Sequence, residues 1–394
     1  MCLPRPSCNS GFDNFQYCLD YCGHRYQGLE PITATIHYSS YEFDESKIDI
    51  DFLKRFLRSP VFISALKEQT RGGIKTEIKA KTLLSISVQL PLLLDQQVIN
   101  SCFQKFENEL VELDSEISNQ KNYLTKFRHA ILQEAIEGKL TADWRVKNPV
   151  EKGNPNTNAA ALLETIKAEK QKLITEGKIK KEKPLAPINP DDVPFALPDG
   201  WVWCRLGEVE KQHVDCPHAT PVYLQTGKVC LRASNITPAG ITFAEKRYIS
   251  ESEYTKRIER LKPEKYDLVY IREGGRLGIA GLINVDEPCC LGQRLMLMRF
   301  FENITAKYCS YFINAPSTYQ IALKTFSGAA SPHINVRDVI NNFFPLPPLA
   351  EQHAIVEQVD RLLASVNALE QQVKERKTYA EQLMQAVLKE AFAG

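Results

Sequence analysis

Apolar side chains recur in alternating steps of four and three residues along two long stretches of the chain. In the first stretch these seam positions are Ile99, Phe103, Phe106, Leu110, Leu113, Ile117, Leu124, Phe127 and Ile131. In the second stretch they are Ile355, Val359, Leu362, Val366, Leu369, Val373, Ala380, Leu383 and Val387. This alternation is typical of a coiled-coil helix. Each stretch follows proline and ends at glycine, which predicts two helices of ~43 residues, or roughly 64 Å each.

The two helices belong to an internal repeat. Residues 41–138 align with residues 297–394 at a constant offset of 256, so that Phe56 matches Phe312 and Leu90-Pro91 matches Leu346-Pro347. A long amphipathic helix cannot bury its apolar stripe alone, and chain order makes an antiparallel pair of helices the expected solution. Gln120 and Arg376 occupy equivalent seam positions, where they either set the register of the pair or lie on exposed turns.

The region between the two helices has a mixed α/β pattern. Strands are predicted at residues 228–231, 268–271, 278–285 and 293–300, and helices at residues 159–176, 251–261 and 306–326. A connector rich in lysine (Lys178, Lys180, Lys181 and Lys183) and proline precedes this region. The lysine run either contacts DNA phosphate or a partner, or forms the solvated end of a helix.

Composition narrows the class of protein. The 394 residues include 49 Lys or Arg and 48 Asp or Glu, with 43% hydrophobic residues, which excludes a disordered or low-complexity chain. No apolar run reaches the ~18 residues of a membrane span, and no export signal is evident, so a cytoplasmic location is expected. Residues 228–299 include 13 Lys or Arg and 9 Asp or Glu, and this local basic excess suits the binding of nucleic acid.

Candidate chemistry is sparse. Four of the eleven cysteines lie within the first 22 residues, but neither this cluster nor the group His213, Cys216 and His218 has the second ligand pair of a zinc site. The glycine-rich stretch 274–281 lacks the Gly-Lys-Ser/Thr ending of a phosphate-binding loop and is interpreted as a tight turn. No methyltransferase tetrapeptide or Gly-x-Ser-x-Gly elbow occurs. The chain is therefore predicted to be non-catalytic and to hold no metal.

Several segments resemble the specificity subunits of Type I restriction-modification systems. Three of them carry the resemblance: Leu197-Pro198-Asp199-Gly200-Trp201-Val202-Trp203, Asp215-Cys216-Pro217-His218, and Pro345-Leu346-Pro347-Pro348-Leu349-Ala350-Glu351-Gln352. Gly138-Lys139-Leu140-Thr141 with Trp144-Arg145 is similar to the exit from the family's long helix. The resemblance covers roughly residues 36–394.

The resemblance implies an α+β protein with mixed α/β target recognition domains, joined by an antiparallel two-helix coiled coil with a pseudo-twofold repeat. The expected domains are a partial first recognition domain (36–92), helix 1 (93–138), a linker with a short helix (139–197), a second recognition domain (198–346) and helix 2 (347–394). The implied partners are double-stranded DNA, two methyltransferase subunits and restriction subunits, with no membrane. No cofactor is expected on this chain, because the methyl donor and ATP are used by the partner subunits.

The first 35 residues depart from this pattern. They are rich in cysteine, match nothing in the second copy and are expected to be poorly ordered. Residues 1–30 are interpreted as the product of a truncated, rearranged or misread gene start, which leaves the first recognition domain incomplete. Two alternatives to a complete specificity subunit stay open: a half-active or inactive fragment that scaffolds or pairs with another fragment, and a separate DNA-modifying enzyme, which the missing catalytic motifs disfavour.

Candidate DNA contacts lie in predicted loops of the second recognition domain. Arginine and lysine suit guanine edges or phosphate, asparagine and glutamine suit adenine, and serine and threonine can meet either. The candidates are His218, Thr220, Arg232, Ser234, Asn235, Lys246, Arg247, Arg272, Arg276, Gln293, Arg294, Ser331 and His333.

Overall fold

The computed structural model describes residues 43–69, 83–87, 89–325 and 332–392. The predictions made for residues 1–35, for Ser331 and for the terminal Gly394 lie outside these ranges. The chain forms two compact units, residues Met1–Asn122 with Leu369–Gly394 (unit 1) and Tyr123–Ala368 (unit 2). No helix within the described ranges is long and apolar enough to cross a membrane.

Helices and strands alternate in the manner of an α+β protein. The helices are α1 (Ile50–Arg58), α2 (Pro60–Gln69), α3 (Leu93–Ile136), α4 (Ala142–Lys147), α5 (Ala159–Thr175), α6 (Leu206–Val209), α7 (Glu251–Ile258), α8 (Ala306–Asn314), α9 (Pro316–Thr325), α10 (Val336–Ile340) and α11 (Leu349–Phe392). The strands are β1 (Val202–Arg205), β2 (Glu210–Asp215), β3 (Lys228–Leu231), β4 (Ile236–Thr237), β5 (Gly240–Ile241), β6 (Tyr248–Ile249), β7 (Leu268–Ile271), β8 (Ala280–Leu282), β9 (Cys289–Leu291), β10 (Leu295–Phe300) and β11 (Phe343–Leu346).

The core of unit 2 is built around a four-stranded sheet with the order β2-β10-β7-β8. Alternate side chains of β7 and β10 point to opposite faces, as the period of a strand requires. Leu268 and Met296 join the helix-lined cluster, whereas Val269 and Leu297 join a second cluster with residues of β3 and β9. The sheet is thus buried on both faces, which explains the nearly continuous apolar runs of β7 and β10.

Three smaller sheets complete unit 2. Strands β6, β3 and β9 form a three-stranded sheet in which β3 and β9 run parallel. Strand β1 pairs with β11, and β4 pairs with β5. The β1–β11 pair brings the segment before the recognition region next to the start of α11, because Val202 is the partner of Leu346.

Unit 1 contains α1, α2, the first part of α3 and the last part of α11. The Asp49 side chain caps α1 by accepting hydrogen bonds from Asp51 N and Phe52 N. Phe392, at the end of α11, lies with its ring centroid 5.2 Å from that of Phe52 and 5.9 Å from that of Phe103. An aromatic cluster therefore joins α1, α3 and α11 within this unit.

The internal repeat is visible in the helices. Helices α1, α2 and α3 have the bounds of α8, α9 and α11 shifted by 256 residues. A fully buried glutamine repeats as well. Asp49 N donates to Gln96 Oε1 at 2.8 Å, and Thr305 N donates to Gln352 Oε1 at 2.9 Å, so one hydrogen bond ties the start of α3 to the N-cap of α1, and an equivalent one ties the start of α11 to the N-cap of α8.

The two long helices run in opposite directions where they meet. In unit 1, Lys377 Nζ lies 3.9 Å from Asp114 Oδ1, and Arg376 Nη1 donates to Gln120 Oε1 at 3.5 Å. In unit 2, Arg128 Nη2 donates to Asn367 Oδ1 at 2.7 Å. Gln120 and Arg376 therefore contact each other, and they do so at the exposed surface rather than in a buried seam.

Burial of the predicted seam is uneven, which corrects the expectation that the stripe is buried throughout. Seven of its eighteen residues are buried, while Leu113, Phe127, Leu369 and Leu383 are 37 to 50% exposed. In unit 1 an open groove of about 270 Å³ lies between the helices, lined by residues that include Leu110 and Met384. The helices are too loosely packed there to cover the seam completely.

One predicted helix is divided in two. The expected helix 306–326 consists of α8 and α9, which are separated by Ala315 before Pro316. Proline disfavours helical backbone in the residue before it and cannot donate to the preceding turn. The predicted helix 251–261 and strand 278–285 are also shorter, ending at Ile258 and at Leu282.

Candidate nucleic-acid interface

Three strands of the four-stranded sheet of unit 2 bring polar loops to one edge. Strand β2 ends at Asp215, β7 ends at Ile271, and β10 begins at Leu295. The register pairs Asp215 with Met296 and Ile271 with Leu295, so these three termini lie side by side. The loops after β2, after β7 and before β10 therefore emerge together.

The three-stranded sheet delivers its loops to the same place. Strands β3 and β9 are parallel and end together at Leu231 and Leu291. Gly292 follows β9 and donates its N–H to Leu231 O at 2.8 Å, and a Cβ on Gly292 would lie only 2.5 Å from that oxygen. This close approach requires glycine. On the other side of β3, Cys230 N donates to Arg247 O, which brings the start of β6 alongside.

We call this surface the loop edge. It comprises residues 216–220, 232–235, 246–247, 272–276, 292–294 and 332–333. Twelve of the thirteen predicted DNA contacts fall within it, and Ser331 lies outside the described residues. The strand register thus brings together residues as far apart as Asp215 and Met296, and the bridge between Glu273 and His333 adds the last segment.

Not all twelve side chains are available at the surface. Arg272 is buried and donates from Nε and Nη2 to the Asp215 carboxylate at 3.1 and 2.7 Å, and from Nη1 to Ile334 O at 2.8 Å. The Asn235 amide is also buried and donates to Thr242 O and Glu245 O. These two residues hold the loops in place and do not present their polar groups outward.

Arg276 is exposed, but its guanidinium also holds the backbone of a neighbouring loop. It donates from Nη1 to Ala233 O at 2.9 Å and from Nη2 to Ile236 O at 2.8 Å. It thereby ties the glycine-rich turn after β7 to the loop after β3. Gly274 and Gly278 have φ values of +89° and +90°, so this stretch forms the tight turn that its composition predicts.

The turn between β9 and β10 presents two free polar groups. Arg294 has a φ of +73°, which is costly for a residue with a side chain, and its exposed guanidinium has no hydrogen-bond or ion-pair partner among the described residues. The hydroxyl of Thr220 donates to Gln293 Oε1 at 2.7 Å, which orients that amide and leaves its nitrogen available. Backbone strain of this kind is characteristic of functional loops.

The remaining members lie around this turn. His218 is exposed with Nε2 3.2 Å from Asp215 Oδ2, and Glu273 forms an isolated bridge with His333. Lys246 pairs with Glu287 at 2.6 Å, a hydrogen bond that raises the pKa of Lys246 and keeps it cationic. Arg247 lies over the ring of Tyr223.

The charge of the loop edge is positive. With the adjoining Asp215 and Glu245 and the Lys246 partner Glu287 included, it carries six arginine or lysine residues and four acidic residues. Asp215 is engaged by Arg272, so its charge is compensated within the protein. A rigid surface with a cationic excess, free guanidinium and oriented amide groups suits phosphate and base edges.

His213, Cys216 and His218 do not form a metal site. Cys216 is buried with Sγ accepting from Leu295 N, and burial raises the pKa of its thiol, so it stays neutral. His213 contacts Glu210 and Glu182, whereas His218 contacts Asp215. No cluster of three metal-ligating residues occurs in the described part of the chain.

His213 gives unit 2 a pH-dependent contact. Its Nδ1 lies 3.1 Å from Glu210 Oε2 and 3.5 Å from Glu182 Oε1. Burial lowers the pKa of His213, but the hydrogen bond to Glu210 and the charges of both carboxylates outweigh it, and the net pKa is raised above 6.5. The protonated imidazolium therefore stabilises the fold, fully below pH 6.5, and this contribution is lost as pH rises through the folded-state pKa.

Replacing His213 by glutamine should lower the free energy of unfolding by about 1 to 2 kcal/mol near pH 6, because a charged hydrogen bond is lost. The difference from the unsubstituted protein should shrink as pH rises to about 9. Denaturant unfolding over this range measures it, with His218→Gln as the exposed control. A His213→Gln deficit that is constant across this range would contradict the assignment.

The predicted contacts omit one residue that the structure places beside the loop edge. In the sequence, Asp215 stands only in a resemblance motif. Its partner Arg272 lies 57 residues away. Only the pairing of β2 with β10 and of β10 with β7 brings the two together.

A comparison with known protein families finds a match in the part of the chain that contains the loop edge. Residues 198–376 match the family model described as the Type I restriction modification DNA specificity domain. This span contains the whole loop edge and most of the sheet residues that support it.

Two relatives from Escherichia coli extend the match along the chain. The specificity subunit of the Type I restriction enzyme EcoAI is 26% identical over 346 residues, covering 82% of this chain and 56% of the relative. The EcoEI specificity subunit is 28% identical over 247 residues, covering 59% of this chain and 39% of the relative. The chain thus spans about half the length of these relatives.

A solved structure shares the fold. It comes from a study of complex assembly and conformational transition of the type I R-M system. One of its chains aligns with this chain with a TM-score of 0.52 at 18% identity. The alignment covers 89% of this chain and 72% of the solved one.

Proposed function

We propose that this chain is a DNA-recognition subunit of a Type I restriction-modification system and that its loop edge reads one half of a split DNA target. The observation that carries the proposal is the convergence of all twelve described candidates on one edge of the specificity domain. The chain itself performs no chemistry in this proposal. The methyl donor and ATP belong to partner subunits, and no cofactor is assigned to this chain.

Within the loop edge, the side-chain groups of Arg294 and Gln293 that lack a protein partner contact the bases. The Arg294 guanidinium suits the O6 and N7 acceptors of guanine, and the Gln293 amide suits adenine. Arg272, Asn235 and Arg276 act as positioning residues that hold the backbone of the loops. Arg247 and Lys246 supply charge for nearby phosphates.

The two long helices act as an antiparallel coiled-coil spacer. In unit 1, Phe103 stacks on Phe392 and Asp114 lies beside Lys377, so later residues of α3 meet earlier residues of α11. In unit 2, Arg128 contacts Asn367, and Thr141, just after α3, contacts Glu351 at the start of α11, which supports the same arrangement. A stiff spacer converts helix length into a distance along DNA. At ~3.4 Å per base pair, a helix of roughly 64 Å spans about 19 base pairs, so the half-sites lie closer than that.

The helices also dock two methyltransferase subunits, which in turn recruit restriction subunits. Exposed apolar side chains support this, because they recur at the repeat offset of 256: Leu113 with Leu369, Tyr123 with Tyr379, and Phe127 with Leu383. A surface that occurs twice fits two copies of one partner. Exposed apolar patches of this kind mark protein interaction sites.

A second candidate function is a fragment that reads only one half-site, or that acts as a scaffold or pairs with another fragment. The described residues of unit 1 form helices but no strand, whereas those of unit 2 form eleven strands. The described part of the first repeat therefore offers no counterpart to the loop edge.

Co-expression with the cognate methyltransferase subunits, followed by purification and mapping of methylated adenines in genomic DNA, tests the proposal. A two-part motif supports a complete specificity subunit. A palindromic or one-part motif supports the fragment. Co-purification without any sequence-specific methylation would contradict DNA recognition, and methylation by this chain alone would contradict the non-catalytic assignment.

A further inference from the structure

The lysine-rich connector before the specificity domain is outside the loop edge and has no role in the function proposed so far. Lys180, Lys181 and Lys183 are exposed, and none has an ion-pair or hydrogen-bond partner for its side chain among the described residues. Lys178, by contrast, pairs with Glu176 at 2.7 Å. The segment therefore presents three cations that lack an ion-pair partner, with Glu182 between the second and the third.

The backbone of the connector is held in place from several sides. Arg337 donates to Lys183 O and to Pro184 O, and Arg205 donates to Ala186 O at 2.9 Å and to Pro187 O at 2.8 Å. Leu185 packs against the main core, and Ala186 N donates to the side chain of Asn341. The segment lacks helix and strand, yet it is anchored like part of the domain.

These anchors also fix where the lysines lie. The Glu182 carboxylate, between Lys181 and Lys183, reaches 3.5 Å from His213 in β2. His213 is two residues, or roughly 7 Å, from Asp215, where β2 ends at the loop edge. Arg337, which holds Lys183, lies in α10, four residues after His333 of the loop edge. The lysines thus flank this surface.

We infer that Lys180, Lys181 and Lys183 form a phosphate-binding strip that grips the DNA backbone beside the half-site read by the loop edge. This inference rests on the proposed function and adds a second contact surface to it. Lysine ammonium groups bind phosphate as point charges without reading bases. Since the connector backbone is already fixed, little ordering cost is added when DNA binds.

Salt dependence of binding tests the strip directly. The full chain with its methyltransferase subunits is titrated with a fluorescently labelled duplex of mixed sequence at a series of potassium chloride concentrations. Each phosphate contact contributes about 0.9 to the slope of log K against log salt. The triple substitution Lys180→Gln, Lys181→Gln, Lys183→Gln should therefore make the slope shallower by about 2 to 3 and leave the methylated motif unchanged.

A matched variant removes three exposed lysines elsewhere on the same unit, Lys152→Gln, Lys262→Gln and Lys265→Gln, with the same change in net charge. It should leave the slope within about 0.5 of the unsubstituted complex. Equal slopes for the triple variant and the unsubstituted complex would overturn the strip while leaving the proposed function intact. A complex that methylates no motif and binds without a salt slope would overturn both, and a changed motif in the triple variant would show that the lysines read bases instead.

Discussion

Replacing Glu351 by alanine is expected to lower the free energy of unfolding by about 3 to 5 kcal/mol, because it leaves buried polar partners uncompensated. Glu351 is fully buried in the first turn of α11. Its Oε1 accepts from Thr141 Oγ1 at 2.7 Å and from Arg145 Nη1 at 2.5 Å, and its Oε2 accepts from Trp201 Nε1 at 2.7 Å. One carboxylate thus joins the segment after α3, the entry to the sheets and the start of α11.

The internal repeat provides the control for this experiment. Asp95 is the residue at the equivalent position of α3, where it is exposed and has no side-chain partner among the described residues. Asp95→Ala should change the free energy of unfolding by less than about 0.5 kcal/mol, as is usual at the surface. Chemical denaturation of both variants measures the contrast. Comparable losses of unfolding free energy in the two variants would show that the Glu351 hydrogen bonds contribute no more to stability than an exposed side chain does.

Replacing Arg272 by alanine should have the second-largest effect, because it should lower both the stability of the fold and the affinity for DNA. Loss of the guanidinium leaves Asp215 without its bidentate partner and Ile334 O without its donor, which should cost about 3 kcal/mol of stability. The loops after β2 and β7 then lose their shared anchor. DNA binding should fall even at temperatures where the protein remains folded.

The matched variant is Arg294→Ala, which removes an exposed guanidinium from the same edge. It should leave the thermal unfolding midpoint nearly unchanged while weakening binding to the methylated motif by about 1 to 3 kcal/mol. Calorimetry combined with binding to a motif-containing duplex separates the two effects. If Arg272→Ala kept full stability, or if Arg294→Ala unfolded the domain, the division between positioning and reading residues would be wrong.

The long-range plan of the molecule could be predicted from sequence. Helices α3 and α11 follow from the four-three alternation and the repeat, since a 3.5-residue period sustained over many turns fits few other structures. The end of the first long helix could also be predicted, because glycine is common at the residue that terminates a helix. In the structure Gly138 has a φ of +72°, a conformation that glycine tolerates. The prediction of one helix over residues 306–326 was wrong, although the proline at position 316 disfavours helical backbone in the residue before it.

The division of labour among the candidate arginines could not be predicted. Arg272 and Arg294 are the same residue type in loops of similar composition, yet one is buried against Asp215 and the other is exposed. That difference depends on the register of β7, β10 and β2, which places Arg272 beside Asp215, 57 positions earlier in the chain. The Glu351 contacts span 150 to 210 residues and were hidden for the same reason.

The exposed seam residues show another limit of pattern analysis. Periodicity identifies Leu113 and Leu383 as apolar positions, but it does not reveal whether the opposite helix or another protein covers them. In the structure these side chains are 37% and 50% exposed. A heptad pattern therefore marks a surface to be buried, and the occupant has to be found from the assembly.

The most direct test of the central claim compares the methylated motif produced by the unsubstituted complex with that produced by the Arg294→Ala complex. If the loop edge reads bases, the motif should lose its preference at one or two adjacent positions of a single half-site, while the rest of the motif and its spacing stay the same. An unchanged motif, or relaxation spread over both half-sites, would contradict base recognition by this edge.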